Sequence, residues 1–340
     1  MDRPVTHPLA PTAHVRIDHH SAVHLAASTA RSLSEQYGLT GTLPDQAAVL
    51  ASELAGNIHK HARGGALYIH PLPLGGGVEI LAADRGPGMP ELERCLADGY
   101  STTGTLGAGL GAIRRTATHF AIRTEPGVGT LVCARLTRPD QAETACQSAA
   151  LICLPADREE HCGDAGAVVD TVTDRTAVVI DGLGHGPQAA EAAHAALHAF
   201  HAHAGRPLPE IVTGMDRALR HTRGAAVGIL RLDAAQALYC GIGNIRAVVL
   251  SPGGIHHQLT GRPGIVGWRM PTPQTHTVAL PAGATAVLHS DGIDARWAHT
   301  PSLSVLRLPP QLLAASVTHH YRSTRDDATL LALRPQQRHS

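Results

Sequence analysis

The sequence predicts a two-domain α/β protein whose second domain is a layered β-sandwich flanked by helices. Its 340 residues are enough for two domains, each with a hydrophobic core of its own. Residues 13–137 combine two long helical patterns with strands, whereas residues 149–335 consist mainly of short strand patterns separated by turn signals. Residues 1–12 are proline-rich and residues 138–148 are polar and without periodicity, which predicts a loose leader and a linker.

Composition excludes several classes of protein. The 28 basic and 28 acidic residues balance, so there is no electrostatic reason to expect a nucleic-acid or membrane partner. No apolar run is long enough to span a bilayer, and the N-terminus lacks a signal-peptide pattern, so we expect a cytoplasmic protein. The six cysteines contain no CxxC pair and are expected to be reduced, mostly buried thiols.

The first domain carries an acid and an amide on one predicted helix. This helix begins near Pro44, where the first helical turn accepts a proline, and ends before Gly64. Glu53 and Asn57 are four residues apart and therefore project from one face. Together they are able to orient a nucleophile and hold Mg²⁺ beside a triphosphate.

Two glycine-containing segments follow. Asp84 ends a predicted strand and precedes Gly86 and Gly88, an arrangement that suits recognition of a flat base such as adenine. Further glycines lie next to a helix predicted to begin near Leu110, where flexible backbone is able to wrap phosphates. Each feature alone is more common as a solvated helix face, a turn or a loop. Their joint order indicates a nucleotide site.

These segments resemble a known family. ELAGNIHKHA, DRGPGM, GTLGAGLGAIRR and GVGTLVCARL resemble the N, G1 and G2 boxes of GHKL ATPases, in particular the anti-sigma-factor and switch serine kinases of the RsbW and RsbT type. The resemblance implies a GHKL (Bergerat) two-layer α/β sandwich that binds ATP with Mg²⁺. It implies that Asn57 coordinates Mg²⁺, Glu53 activates a substrate hydroxyl and Asp84 contacts the adenine amino group. It also implies further nucleotide contacts by Gly86, Gly88, Gly107, Gly109, Gly111 and Thr130.

The second domain has acidic residues at strand ends and turns. Asp164, Asp181, Asp291 and Asp326 are spread through the sequence, but all lie at the edges of strand patterns and are able to converge at one rim of a sandwich. Such hard oxygen ligands suit Mg²⁺ or Mn²⁺. Two such ions are able to activate a bridging water and clamp a phosphoryl group. Any single Asp-Gly is more often only a β-turn.

The ordered set GDAG, DGLGHG, GIGN, HSDG and DDATLL resembles the SpoIIE-type metal-dependent Ser/Thr phosphatases, relatives of protein phosphatase 2C, and DGLGHG resembles the compact RsbX-like members. The resemblance implies a site with two Mn²⁺ or Mg²⁺ ions. It implies the metal set Asp164, Asp181, Gly182, Asp291 and Asp326, with Asp327 as a weaker candidate.

The sequence therefore predicts a bacterial phospho-signalling regulator. Its phosphatase half removes phosphate from phosphoserine or phosphothreonine on a partner, by resemblance a STAS-type anti-sigma antagonist, a stressosome protein or a sigma-factor regulator, and its other half adds phosphate from ATP. Two alternatives remain open. The first domain is a non-catalytic, ATP-dependent binding module, or ATP merely gates a phosphatase that is the one active half.

Overall fold

The chain folds into a mixed α/β structure that divides into two units. The computed structural model describes residues 11–96, 109–141, 148–171 and 173–336. The first unit comprises Thr12–Gln147 and Gln311–His320, and the second comprises Ser148–Pro310 and the chain from Tyr321 onward.

The described residues contain eight α-helices and three antiparallel sheets. The helices are α1 (Ser21–Gln36), α2 (Leu43–His61), α3 (Leu92–Leu96), α4 (Leu110–Thr116), α5 (Pro187–His203), α6 (Leu208–Leu219), α7 (Leu303–Leu306) and α8 (Pro310–Tyr321). The strands are β1 (Ala13–Ile17), β2 (Gly65–Pro71), β3 (Gly77–Ala83), β4 (His119–Glu125), β5 (Gly129–Thr137), β6 (Ala149–Leu154), β7 (Asp164–Asp170), β8 (Arg175–Gly182), β9 (Ala225–Leu232), β10 (Gln236–Ile242), β11 (Arg246–Ser251), β12 (Gly254–Thr260), β13 (His276–Ala279), β14 (Thr285–His289) and β15 (Ala328–Leu333).

The first unit is built on one five-stranded antiparallel sheet in the order β1-β2-β3-β5-β4. One face of this sheet packs on α1 and α2, because apolar residues recur on α2 at helical spacing and bury a continuous stripe that includes Leu50 and Leu54. Strand residues such as Ile69 and Ile80 meet that stripe. Alternation along the strands sends the neighbouring residues to the other face. Residues 311–320 lie on that other face.

The second unit contains two five-stranded antiparallel sheets, with strand orders β13-β10-β9-β8-β7 and β12-β11-β14-β15-β6. Strands β14 and β15 lie against β7 and β8, and α5 and α6 pack on the first of the two sheets. The packed face of α5 is formed largely by alanines, which let the helix approach the strands closely. At Gly182 a Cβ atom would lie 2.3 Å from the carbonyl oxygen of Ala189, so this contact requires glycine.

Most elements lie where the sequence patterns place them. Helices α7 and α8, which follow β14 in the chain, were not predicted from the sequence. Strand β12 was not predicted either, since its GIHHQLT sequence is polar and partly exposed at a sheet edge. Within the predicted linker, residues 139–141 form a single 3₁₀ turn, and residues 142–147, like residues 1–10 of the leader, lie outside the described residues. Among the described residues, no helix is long and apolar enough to cross a membrane.

Candidate functional site

Two of the predicted metal ligands in the second unit are direct neighbours across a strand pair. Asp164 begins β7 and Asp181 lies near the end of β8, and antiparallel register pairs them directly. Residues opposite each other in such a pair have Cβ atoms about 5 Å apart. Asp164 is buried, with 3% of its surface exposed, whereas Asp181 is half-buried.

Asn244 connects two carboxylates that come from different sheets. It lies in the turn between β10 and β11, and its side-chain Nδ2 donates hydrogen bonds to Asp181 Oδ2 (3.0 Å) and Asp291 Oδ2 (2.7 Å). Asp291 lies two residues after His289, which ends β14. Asn244 is a site residue that was not singled out from the sequence, although it is the last residue of the GIGN motif.

The carboxylates raise one another's pKa values. Burial, and then the charges of Asp291 and Asp326, raise the pKa of Asp181 to about 7, although the Asn244 hydrogen bond acts in the opposite direction. Burial and the neighbouring Asp181 raise the pKa of Asp164 well above its usual range. Burial and Asp291 raise the pKa of Asp326. Like charges gathered in this way favour proton or cation uptake.

The two carboxylate oxygens of Asp164 differ in their hydrogen bonding. Its Oδ2 accepts a hydrogen bond from Ser290 Oγ at 2.7 Å, whereas its buried Oδ1 has no hydrogen-bond partner among the described residues. A buried acceptor without a partner is costly, and a cation ligated by this oxygen would remove the cost. Among the residues that the structure describes, no three His, Cys, Asp or Glu side chains already form a metal cage.

The two aspartates of the DDATLL motif have different surroundings. Asp326 is exposed, as expected for a ligand at a rim. Asp327 is buried, and its two carboxylate oxygens accept backbone N–H groups from Ala156 and Gly163, both at 2.9 Å. Asp327 therefore ties a loop to the site through one backbone hydrogen bond to each of its oxygens.

In the first unit, Asp84 lies where β3 ends. Its Oδ1 accepts hydrogen bonds from the backbone N–H of Gly86 (2.7 Å) and of Thr130 (3.3 Å). Burial raises the pKa of Asp84, although these two hydrogen bonds oppose the effect. Thr130 is buried, and its hydroxyl lies 3.2 Å from that of Thr124. The structure thus brings the predicted residues Asp84, Gly86 and Thr130 together.

Two of the predicted glycines occupy positions that other residues would not fit. Gly88 has φ +73°, and a Cβ atom there would lie 2.6 Å from the carbonyl oxygen of Glu125. At Gly86 a Cβ atom would lie 2.8 Å from the Cβ of Ala62, the C-cap residue of α2, so this loop and the end of that helix are adjacent. Gly109 precedes α4, as the sequence predicted, whereas Gly111 lies within the helix and Gly107 lies outside the described residues.

The two remaining predicted residues lie on α2. Glu53 and Asn57 are one turn apart and both are half-buried. Burial raises the pKa of Glu53, and Lys60 opposes this shift. A carboxylate with a raised pKa is better suited to accept a proton near neutral pH. Helix α4 packs beside α2 through Leu110 and Ile113.

Comparison with known proteins finds similarity to a kinase and to a phosphatase. Residues 173–336 match the family model of the stage II sporulation protein E (SpoIIE). The chain is 38% identical to the serine/threonine-protein kinase RsbT of Bacillus subtilis (strain 168) over 109 residues, which are 31% of this chain and 80% of RsbT. It is 27% identical to the phosphoserine phosphatase RsbX of the same organism over 135 residues, 39% of this chain and 68% of RsbX. A solved structure described as "The bacterial stressosome: a modular system that has been adapted to control secondary messenger signaling" is 28% identical, with a TM-score of 0.50 over 55% of this chain and 98% of the other.

Residues 173–336 are therefore similar to the SpoIIE family, and part of the chain is similar to the phosphoserine phosphatase RsbX. The chain also belongs to the family of RsbT, because the match spans most of that relative at more than 30% identity.

Proposed function

We propose that the second unit removes phosphate from phosphoserine or phosphothreonine on a partner protein of the STAS type. The observation that carries this proposal is the group of mutually repelling carboxylates at Asp164, Asp181, Asp291 and Asp326 within a SpoIIE-type domain. RsbX, named a phosphoserine phosphatase, supports the substrate class.

The residues fit Mg²⁺ or Mn²⁺. The four carboxylates, together with the Gly182 carbonyl, offer the hard oxygen ligands that these cations prefer, and Asp164 Oδ1 has no other partner among the described residues. When bound, the ions would polarise the phosphoryl group and neutralise its charge. The protein's own contribution is to position the ligands. Ser290 orients Asp164 through its hydroxyl, and Asn244 Nδ2 donates one hydrogen bond to Asp181 and one to Asp291.

Phosphate release from a phosphorylated STAS protein in the presence of Mn²⁺ tests this proposal. Asp181→Asn is expected to reduce the rate on the order of 100-fold, because it removes a ligand charge at the centre of the group. Asp294→Asn is the matched control: it lies three residues after Asp291 and caps a 3₁₀ turn through Arg296 N, a role that asparagine also fills. Titration with Mn²⁺ in a calorimeter provides a readout that does not depend on turnover. Unchanged release by Asp181→Asn would refute the assignment.

For the first unit we propose ATP binding, with transfer of phosphate to a serine of the same class of partner. The Asp84 carboxylate held by Gly86 and Thr130 supports an adenine contact, and the half-buried Glu53 supports a role as a proton acceptor. RsbT, a serine/threonine-protein kinase, supports the reaction class. Mg²⁺ bound with ATP would be held by Asn57 and would neutralise phosphate charge.

Labelled ATP distinguishes this activity from the alternative, a nucleotide-dependent binding module that gates the phosphatase. Glu53→Ala is expected to abolish phosphotransfer while retaining ATP binding, whereas Asp84→Asn is expected to weaken binding itself. Glu35→Ala, an exposed position on α1, is the control. ATP binding without transfer by the wild-type protein would favour the binding module. A change in phosphatase rate with and without ATP would then reveal gating.

A further inference from the structure

Two cysteines of the second unit lie in contact although the sequence gives no sign of a pair. Cys153 lies on β6 and Cys162 precedes β7, and their Sγ atoms are 3.5 Å apart. Neither forms a disulfide, and both are buried, with 7% and 4% of their surfaces exposed. Disulfide formation requires the sulfurs to approach to about 2 Å, a movement of about 1.5 Å.

The backbone around the two cysteines holds them together. The Asp327 carboxylate accepts the N–H of Ala156 with one oxygen and the N–H of Gly163 with the other. These two residues lie near the start and at the end of the loop that joins β6 to β7, so Asp327 closes this loop at its base. The sulfurs are therefore neighbours because of the fold, and little chain entropy has to be lost to join them.

The pair is also next to a predicted metal ligand. Asp164 follows Cys162 by two residues, and its backbone oxygen lies 3.5 Å from Cys153 Sγ. Drawing Cys162 toward Cys153 moves the backbone that leads into Asp164. The hydrogen bond from Ser290 Oγ to Asp164 Oδ2 fixes that carboxylate at present, so a displaced backbone changes its direction.

We propose that Cys153 and Cys162 are a redox modification site, forming a reversible disulfide that weakens cation binding at Asp164. Hydrogen peroxide, a small oxidant suited to a buried pair, oxidises one thiol to a sulfenic acid and releases one water. The second thiol attacks the sulfenic sulfur, the S–O bond breaks and a second water leaves, so the two thiols lose two electrons and peroxide gains them. A dithiol reductant restores both thiols. The disulfide itself does not depend on the proposed phosphatase activity, whereas its effect on cation binding rests on it.

Peptide mapping of the full chain tests the disulfide directly. Trypsin cleaves after Arg158, between the two cysteines, so oxidation by peroxide is expected to link the peptides 136–158 and 159–175. Because the first peptide also contains Cys146, the mapping uses a Cys146→Ser background. Cys162→Ser is expected to abolish the link, and Cys240→Ser, a buried cysteine on β10, is expected to leave it intact. Absence of the linked peptide after peroxide treatment that oxidises other thiols would overturn the proposal.

Calorimetric titration with Mn²⁺ tests the consequence. Oxidation is expected to weaken Mn²⁺ binding about tenfold, because loss of the groups that orient metal ligands has an effect of this size. Dithiothreitol is expected to restore the affinity. The Cys153→Ser and Cys162→Ser proteins are expected to keep their affinity after peroxide treatment. A linked peptide with unchanged Mn²⁺ affinity would refute the regulatory role. Failure of the reduced protein to bind Mn²⁺ would instead refute the proposed metal site, and the linked peptide would still decide whether the disulfide forms.

Discussion

Replacing Glu79 by glutamine is expected to destabilise the first unit by about 3 kcal/mol, because Glu79 is the centre of a buried charge cluster. Glu79 lies on β3 and is fully buried. One carboxylate oxygen is 2.9 Å from His70 Nε2 on β2, and the other accepts hydrogen bonds from Arg135 Nε and from Cys133 Sγ on β5. All four side chains lie on the sheet face opposite α1 and α2.

The magnitude follows from the pKa of Glu79. Burial alone would raise this pKa, but the Arg135 guanidinium and the His70 imidazole outweigh burial and hold it at about 2, below its ordinary value of 4.5. The difference corresponds to about 3 kcal/mol of stability. This matches the roughly 3–5 kcal/mol typical of breaking a buried ion pair. Because the folded-state pKa is depressed, the stability is present above the unfolded-state pKa and is lost as the pH falls from about 4.5 toward about 2.

Hydrogen exchange followed by mass spectrometry on the full chain measures this effect where it arises. Peptides from β3 and β5 of Glu79→Gln are expected to exchange roughly 150-fold faster at pH 7 than those of the wild type. The control is Glu91→Gln, which removes an exposed contact to Arg94 and is expected to change stability by less than about 0.5 kcal/mol. Equal protection of Glu79→Gln and wild type at pH 7 would refute the reasoning, as would a wild-type stability that stays constant between pH 4.5 and 2.

Three further predictions concern other parts of the fold. Gly129→Ala is expected to weaken ATP binding by displacing Asp84, because a Cβ atom would lie 2.0 Å from the Asp84 carbonyl oxygen. Gly205→Ala, where a Cβ atom meets open space, is the control, and fluorescent-nucleotide titration compares the two variants. Arg175→Met is expected to cost the second unit about 3 kcal/mol by leaving buried acceptors unsatisfied, measured by urea unfolding with the fluorescence of its two tryptophans. Burial and neighbouring cations lower the pKa of His319 to about 4. The free energy of unfolding is therefore expected to fall as the pH drops from about 6.5 toward 4, and that of His319→Gln to depend less on pH across that window.

The order of helices and strands could be predicted because each element has its own local sequence pattern. Apolar residues at helical spacing mark α1 and α2, and apolar runs between turn residues mark strands such as β8 and β14. The same reasoning failed for β12, because an exposed edge strand carries no apolar alternation, and for α8. Helix α8 lies within a stretch whose apolar and small residues are buried on several sides, so it has no amphipathic signature.

The candidate site was predictable only as a set of residue types at strand ends. Asp164 and Asp181 were named from their motifs, but the direct pairing that makes them neighbours depends on the register of β7 and β8. Asn244 is able to bond to both Asp181 and Asp291 because its turn lies between carboxylates that come from two different sheets.

The sequence by itself singled out the candidate site residues and the elements that hold them, since motifs such as DRGPGM and DGLGHG are local. Only the tertiary structure decided which of those residues meet. It gave Asp327 a structural role by turning its carboxylate onto two backbone amides, and it brought Cys153 and Cys162 into contact without any CxxC spacing. The physical reason is that side-chain distances depend on strand pairing and loop closure between residues far apart in the chain, and no local pattern records either.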